Sequence, residues 1–579
     1  MSLCAFLPLT CEEHCSQSKI FVTTRELEEF RSLPFYHYFQ SHFQISSMAI
    51  PSTQASNASI YTTYSVFLVF GLVVAWRFSN RKEFLAAIRS QPAIPLAFNF
   101  IASAMGCGIL LTYPEIGIVA GVQGVLVYAL SSALPIMLFA FVGPLVRKNC
   151  PEGFVLTQWV FQRFGYFAGL YLGILTILTM FLYMASELTS IQALVELLTG
   201  MNGLPVVIVE CVVTTIYTTW GGFHTSFFTD NVQGVMMTLL LVVVSIAMGT
   251  NIEIDRSQIA ASGLTGSTRL GWQLLYILPV AIASNDCFLS GFWLRTFASR
   301  NDKELKIACA IATVVIFVYL TLCGFTGIIA DWSHVYPGDP PQDAYLAFFL
   351  IVQTLPSWVV CFVLVFGVAL STAVFDSLQS AMVSSVSNDI FRNKLPTKYV
   401  RCLVIVVMIP AIFVALKSPN VLQIFLISDL ISAAAMPSIL LGLSPHLYFL
   451  NGFDIIVSGL GGILTVFIFG CIYYGSASGG GSLLLLMNGL YGDDWSAFGA
   501  FVAAPVGSLI SLVASVLLRA VVYYTYSKAT GTEFTVFKKP FKLPVEMDIV
   551  DPINTTEEYA CTDEESLRNG GNLVKDAHF

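Results

Sequence analysis

Long apolar runs separated by short polar stretches set the pattern of this chain. From residue 59 onward they recur at lengths near or above the ~20 residues that a helix needs to cross a bilayer. Their spacing predicts about thirteen spans: 59–77, 93–113, 117–146, 164–190, 204–219, 225–250, 271–294, 306–331, 357–388, 402–416, 421–444, 453–474 and 497–525. The second is rich in glycine, and the fifth is short.

Composition strengthens that reading. Hydrophobic residues make up 56% of the chain and charged residues 11%, with a mean hydropathy of +0.75; ordinary soluble domains carry roughly 25% charged residues. One soluble core could not bury so much apolar side chain, so the expected fold class is an all-α polytopic membrane protein. Basic residues fix its orientation. If the first span runs inward, Arg77, Arg81, Lys82, Arg89, Arg147, Lys148, Arg163, Arg295, Arg300, Lys303, Lys306, Arg392, Lys394, Lys398 and Arg401 are cytoplasmic, as are the basic residues of the otherwise acidic C-terminal tail. Between spans, the outside receives only Arg256, Arg269 and Lys417. The formal charge of −8 comes without a basic patch apart from these loops, so the bilayer is an expected partner and nucleic acid is not. The 13 cysteines form no CxxC pair and read as small buried side chains.

Residues 1–58 are expected to be an extracellular, disordered segment, with Met48 a candidate start of translation and Asn57-Ala58-Ser59 a sequon beside the first span. The transporter domain is expected over 59–525 and a disordered cytoplasmic tail over 526–579. The run Gly475–Ser482 reads as a flexible outer loop, and it lacks the Gly-x-Ser-Gly of an intramembrane serine protease. With no His-Glu-x-x-His either, an enzyme is not expected.

Candidate chemistry lies where polar groups interrupt spans. In the second span, Ile101-Ala102-Ser103-Ala104-Met105-Gly106-Cys107-Gly108 reads either as close helix packing through small residues or as a broken helix whose freed carbonyls hold a cation or solute. Ser284-Asn285-Asp286 interrupts the seventh span in the same manner. Two broken helices five spans apart point to an inverted repeat, about 93–250 and 271–444, with its site at mid-membrane. Gly106, Gly108, Asn285 and Asp286 are the expected substrate-binding residues. The ninth span carries Ser371, Thr372, Asp376, Ser377 and Gln379, and an intramembrane carboxylate such as Asp376 is a functional residue by default. Glu187, Glu210 and Asp429 are read as lying near span ends, and Asp389 as a cytoplasmic helix end.

Several motifs together resemble the sodium:solute symporter family. Tyr217-Thr218, Gly221-Gly222, Thr229-Asp230 and Gln233 match its signature; Pro151-Glu152-Gly153 with Arg163-Phe164-Gly165, Phe292-Trp293-Leu294-Arg295 and Asp389-Ile390-Phe391 extend the match over roughly residues 60–530. The Trp293–Arg295 spacing is most similar to the urea-transporter branch of fungi and plants. The resemblance implies a five-plus-five inverted repeat and inward symport of a small polar solute, urea or a related nitrogen compound, across the plasma membrane. It implies no cofactor beyond a coupling ion, Na+ or H+. A sodium site would use the carbonyls of Ala102 and Met105 with the hydroxyls of Ser371 and Thr372. Another register of the ninth span puts Ala373 and Val374 there instead, and Ala104 stands where some sodium-coupled members have aspartate. For proton coupling, Asp376 and Asp230 are the candidates; Gly221, Gly222, Asp230 and Gln233 would serve the inner gate, and Asp230 also suits a helix cap. A transporter-derived nutrient sensor is the alternative, though the tail is short for signalling.

Overall fold

A computed structural model describes residues 51–537, apart from 79–87, 339, 393, 418–420, 488, 491–493 and 535. Met48, Arg81, Lys82 and the expected disorder of 1–50 and 538–579 lie outside the described residues. No strand occurs among the described residues; a single parallel bridge joins Gln91 to Ser299.

The first helix, α1 (Thr53–Phe78), begins inside the segment expected to be disordered. Next come α2 (Ala93–Ala104), α3 (Ile109–Asn149), α4 (Leu156–Phe164), α5 (Tyr166–Thr199) and α6 (Leu204–Asn251). After the short α7 (Arg256–Ala261), α8 (Arg269–Asp286) and α9 (Ser290–Ala298) meet at a 63° bend. The chain continues through α10 (Asp302–Trp332), α11 (Ala347–Gln353), α12 (Ser357–Ser385) and a π turn at Val386–Ile390. It ends with α13 (Thr397–Lys417), α14 (Val421–Leu441), α15 (Gly452–Tyr474), α16 (Ala477–Leu484) and α17 (Ser496–Thr530). With α6 counted as two, Leu204–Phe223 and Thr225–Asn251, ten described helices are long and apolar enough to cross a membrane, or eleven with the bent α8/α9 pair counted as one. The count of thirteen is not reached by such helices; the expected second and tenth spans fall partly on the short apolar helices Ala93–Ala104 and Ile405–Lys417.

Glycine explains where the sequence-based boundaries move. The second span breaks at Met105–Gly108, and its second half runs on without the expected gap at 113–117 to Gly121, whose φ of 63° turns the chain. The loop between α7 and α8 seals that turn: Val122 N donates to the Leu264 carbonyl at 2.9 Å, and a Cβ at Gly121 would meet the same oxygen. At Gly222, φ is 62°, so the expected gap between the fifth and sixth spans is a one-residue kink in α6, where Gly221, Gly222 and Phe223 are buried. The Gly475–Ser482 run is also not a loop. Ser476 caps α16, and Gly480 packs so closely on Phe467 and Cys471 of α15 that a Cβ would collide.

Helices α3 and α10 approach backbone to backbone. A Cβ on Gly117 would lie 2.4 Å from the Gly324 carbonyl oxygen, and one on Gly327 would lie 2.0 Å from that of Pro114. Small residues permit this approach, as in many membrane helix pairs. Replacing Gly327 by Ala should therefore cost about 1–3 kcal/mol through overpacking and lower the thermal unfolding midpoint in detergent. Gly249→Ala, where nothing lies within 4 Å of the new Cβ, should leave the midpoint unchanged or raise it. Equal midpoints for the two variants would contradict this packing account.

Candidate functional site

The break between α2 and α3 frees backbone groups inside the membrane, and a carboxylate occupies them. Glu187 of α5 accepts from Cys107 N at 2.8 Å. Its carboxyl fills the space beside Gly106, where a Cβ would lie 2.0 Å from Oε1. Only glycine at 106 lets this carboxylate reach the break. Gly108 is tight as well, with Ser190 and Phe425 3.3 Å from a Cβ placed there. On the other side of the pseudo-repeat, α8 ends at Asp286 and α9 starts at Ser290. Asn285 fixes that end: it donates to Tyr183 Oη at 2.6 Å and accepts from Ser428 at 3.0 Å and Ser432 at 2.9 Å.

Between the two breaks lies a cavity of about 120 Å³. Gly106, Glu187, Asp286 and Asp429 line it, with Tyr113, Tyr128, Tyr183, Phe292 and Phe425 among its walls. Its lining holds three carboxylates and no Lys, Arg or His. Tyr113 and Tyr128 stack at 4.1 Å between ring centroids, and Tyr183 leans on Phe425 at 4.7 Å. Asp429 Oδ1 is buried with no hydrogen-bond partner among the described residues. A cavity of this kind suits a cation that donates hydrogen bonds and lies against aromatic faces.

A second polar cluster lies apart from the cavity. Asp230 of α6 and Arg295 of α9, both with 0% exposed side chains, form an ion pair at 2.6 Å. Arg295 also donates to Ser377 of α12, to Gly291 O and to Asn99 O, and its guanidinium stands 5.7 Å from the Phe223 ring centroid. Ser377 in turn donates to Asp230. Next to Ser377 in the chain, Asp376 accepts from Tyr217 at 2.5 Å, Ser226 at 2.9 Å and Thr229 at 3.1 Å. The Gly222 kink presents these α6 residues to α12.

The expected sites are thus divided. Gly106 and Asp286 line the cavity, while Asn285 orients Asp286's end of α8. Ala102 and Met105 are buried at the break. Ser371 donates to Glu210 Oε1 at 2.7 Å and Thr372 to Val368 O at 2.6 Å, which leaves lone pairs on both hydroxyls for a cation. In the other register, Val374 lines the cavity and Ala373 is buried. Gln233 is fully buried with both amide atoms unpartnered among the described residues.

Three sequence expectations need correction. Glu187, Glu210 and Asp429 lie well inside their helices and are buried, not at span ends. Arg295, assigned to a cytoplasmic loop by counting, is inside the protein because Asp230 neutralises it. Asp389 does end a helix, but it is buried and accepts from Thr157 at 2.6 Å. The cavity aromatics were missed altogether. In a chain with 13% aromatic residues, no spacing separates a wall tyrosine from a packing one, whereas an intramembrane carboxylate is a signal in itself.

Residues 84–446 match the sodium:solute symporter family. A spermidine transporter of Candida albicans is 54% identical over 86% of this chain and 96% of its own length. The urea active transporter of Saccharomyces cerevisiae is 28% identical over 28% of this chain and 22% of its own. Among solved structures, a Na+-coupled sialic acid symporter superposes with a TM-score of 0.62 at 14% identity, covering 79% of this chain and 97% of that one. A nucleobase-cation-symport-1 family transporter gives 0.52 at 13% identity, with the same coverage. These two show the fold: an all-helical transporter with broken helices in corresponding halves of a five-plus-five repeat. The chain is a multi-pass membrane protein and belongs to the sodium:solute symporter family.

Proposed function

We propose that the protein is a plasma-membrane symporter that imports an organic polycation of the linear polyamine class, such as spermidine, down a cation gradient. In this reading the N-terminus is outside and the C-terminus cytoplasmic, as the distribution of basic residues favours. One observation carries the proposal: the cavity between the broken helices holds Glu187, Asp286 and Asp429 with no basic residue in its lining. Buried carboxylates without a partner are costly, and ammonium groups of a substrate would supply the missing charge. The tyrosines and Phe425 suit the same ligand, since cations bind aromatic faces by about 0.5–2 kcal/mol. The spermidine transporter of Candida albicans, similar along nearly all of its length, supports the same class.

Urea fits this cavity less well. A neutral amide leaves all three carboxylates uncompensated, and the motif behind the urea expectation does not line the cavity. Trp293 Nε1 donates to Cys287 O at 2.8 Å, and Arg295 is paired with Asp230. Active uptake also separates this reading from a sensor that binds without transporting.

Labelled spermidine should accumulate in proteoliposomes under an imposed Na+ or H+ gradient, and unlabelled polyamines should compete where urea does not. Competition by urea at comparable concentration would contradict the proposal. Asp429→Asn removes a charged hydrogen-bond acceptor, a loss of about 1.5–3 kcal/mol. It should raise KM for spermidine about ten- to a hundredfold; an unchanged KM would remove Asp429 from the site. Phe425→Leu keeps an apolar wall but loses the ring face, and should raise KM about threefold or more, from ~0.5–1 kcal/mol of lost cation–π attraction. This effect should be absent for a neutral competitor.

A further inference from the structure

The Asp230–Arg295–Asp376 cluster holds two carboxylates and one guanidinium. Arg295 pairs with Asp230 at 2.6 Å, and among the described residues no basic group stands within ion-pair distance of Asp376. A fully enclosed carboxylate with no cationic partner is costly to keep charged. A bound proton removes that cost.

The wiring accepts a proton without moving a heavy atom. When Asp376 is charged, Thr229 donates its single hydroxyl proton to Oδ2 at 3.1 Å. The same hydroxyl has a second acceptor, Ser226 O at 2.8 Å. If Asp376 carries a proton on Oδ2, Thr229 can turn its own proton to Ser226 O and accept the new one. Both states of Asp376 are therefore satisfied by rotation of one hydroxyl. Asp230 differs because its partner Arg295 can only donate and already compensates its charge, while Ser377 donates to it as well.

The surroundings leave the assignment to Asp376. From α6 it is faced by Asp230, Tyr217, Ser226 and Thr229, and from α9 by Arg295. Of the other helices packed on α12, α2 and α11 carry no titratable residue. Tyr64 of α1 faces Glu210, Glu187 of α5 faces Cys107, and Cys402 and Lys417 of α13 are exposed. One turn along α12, a small cavity of about 10 Å³ is lined by Thr218, Gly222, Phe223, Gln379, Ser380 and Ser384.

We propose that Asp376 carries the coupling proton, with Thr229 as the hydroxyl switch that positions it. A proton from the outer water binds one carboxylate oxygen as O–H. The same proton leaves to the cytoplasmic water when the inner side opens. This inference rests on the polyamine symport reading and goes beyond it, by naming the coupling ion and the residue that holds it.

The test is made on purified full-length protein in proteoliposomes, with labelled spermidine as the probe. Equilibrium binding is measured separately from accumulation driven by an inward proton gradient or an inward sodium gradient. The unsubstituted protein should concentrate spermidine under the proton gradient. Asp376→Asn should lose that accumulation by about tenfold or more while its spermidine Kd shifts by less than about threefold, which also reports that it folds. Thr229→Val keeps the side chain's size and removes the hydroxyl, and should shift the midpoint of the uptake-against-pH curve. Spermidine binding with undiminished proton-driven accumulation in Asp376→Asn overturns the proton assignment alone. So does accumulation by the unsubstituted protein that follows the sodium gradient and ignores pH. Failure of the unsubstituted protein to bind spermidine overturns both the substrate reading and this one.

Discussion

A charge inside a bilayer must be met by another group inside the protein, and the placement of functional elements here follows from that constraint. The Asp230–Arg295 pair meets it most completely. It ties the kink of α6 to α9 beyond the broken seventh span, and Ser377 brings α12 into the same network. Removing either partner of such a pair leaves an uncompensated buried charge, which costs about 3–5 kcal/mol. That cost holds three helices in register and fixes where Asp376 stands.

The remaining acidic groups differ in what they lack. Glu210 has hydroxyls from Ser371 and Tyr64, and Glu187 has the backbone of the broken helix. Asp286 and Asp429 face the cavity with no basic neighbour in its walls. Asp230 is thus neutralised inside the protein, whereas the carboxylates that line the cavity, Glu187 with its backbone donor included, are left for the substrate to neutralise. The same division accounts for the aromatic walls, which lend a cation attraction without adding a competing hydrogen-bond network.

Much of the fold was legible in the sequence, because span length acts locally and repeatedly along the chain. The breaks at Met105–Gly108 and after Asp286 were legible too, from glycine and polar residues where an apolar helix should continue. The hinges were misread. Gly121 and Gly222 kink the chain at a single positive-φ residue, which sequence cannot distinguish from a turn or from close packing. The site was legible only in part. Asp286, Asp376 and Asp230 stood out as polar groups in apolar runs. Arg295 did not, since counting basic residues assigns every arginine to a loop, and only its partner 65 residues earlier reveals that it is inside. Tyr128, Tyr183 and Phe425 come from three separate helices, and nothing in their local sequence says that they face one cavity.

The central claim is that three carboxylates and an aromatic wall between the broken helices recognise a polycation. An experimental structure of the protein with spermidine bound tests it most directly. The account predicts the polyamine between α2/α3 and α8/α9, with its ammonium groups within hydrogen-bond distance of Asp286, Asp429 and Glu187 and a methylene run against Tyr183 and Phe425. Spermidine bound elsewhere, with this cavity unchanged and those carboxylates engaged by protein groups, would contradict it.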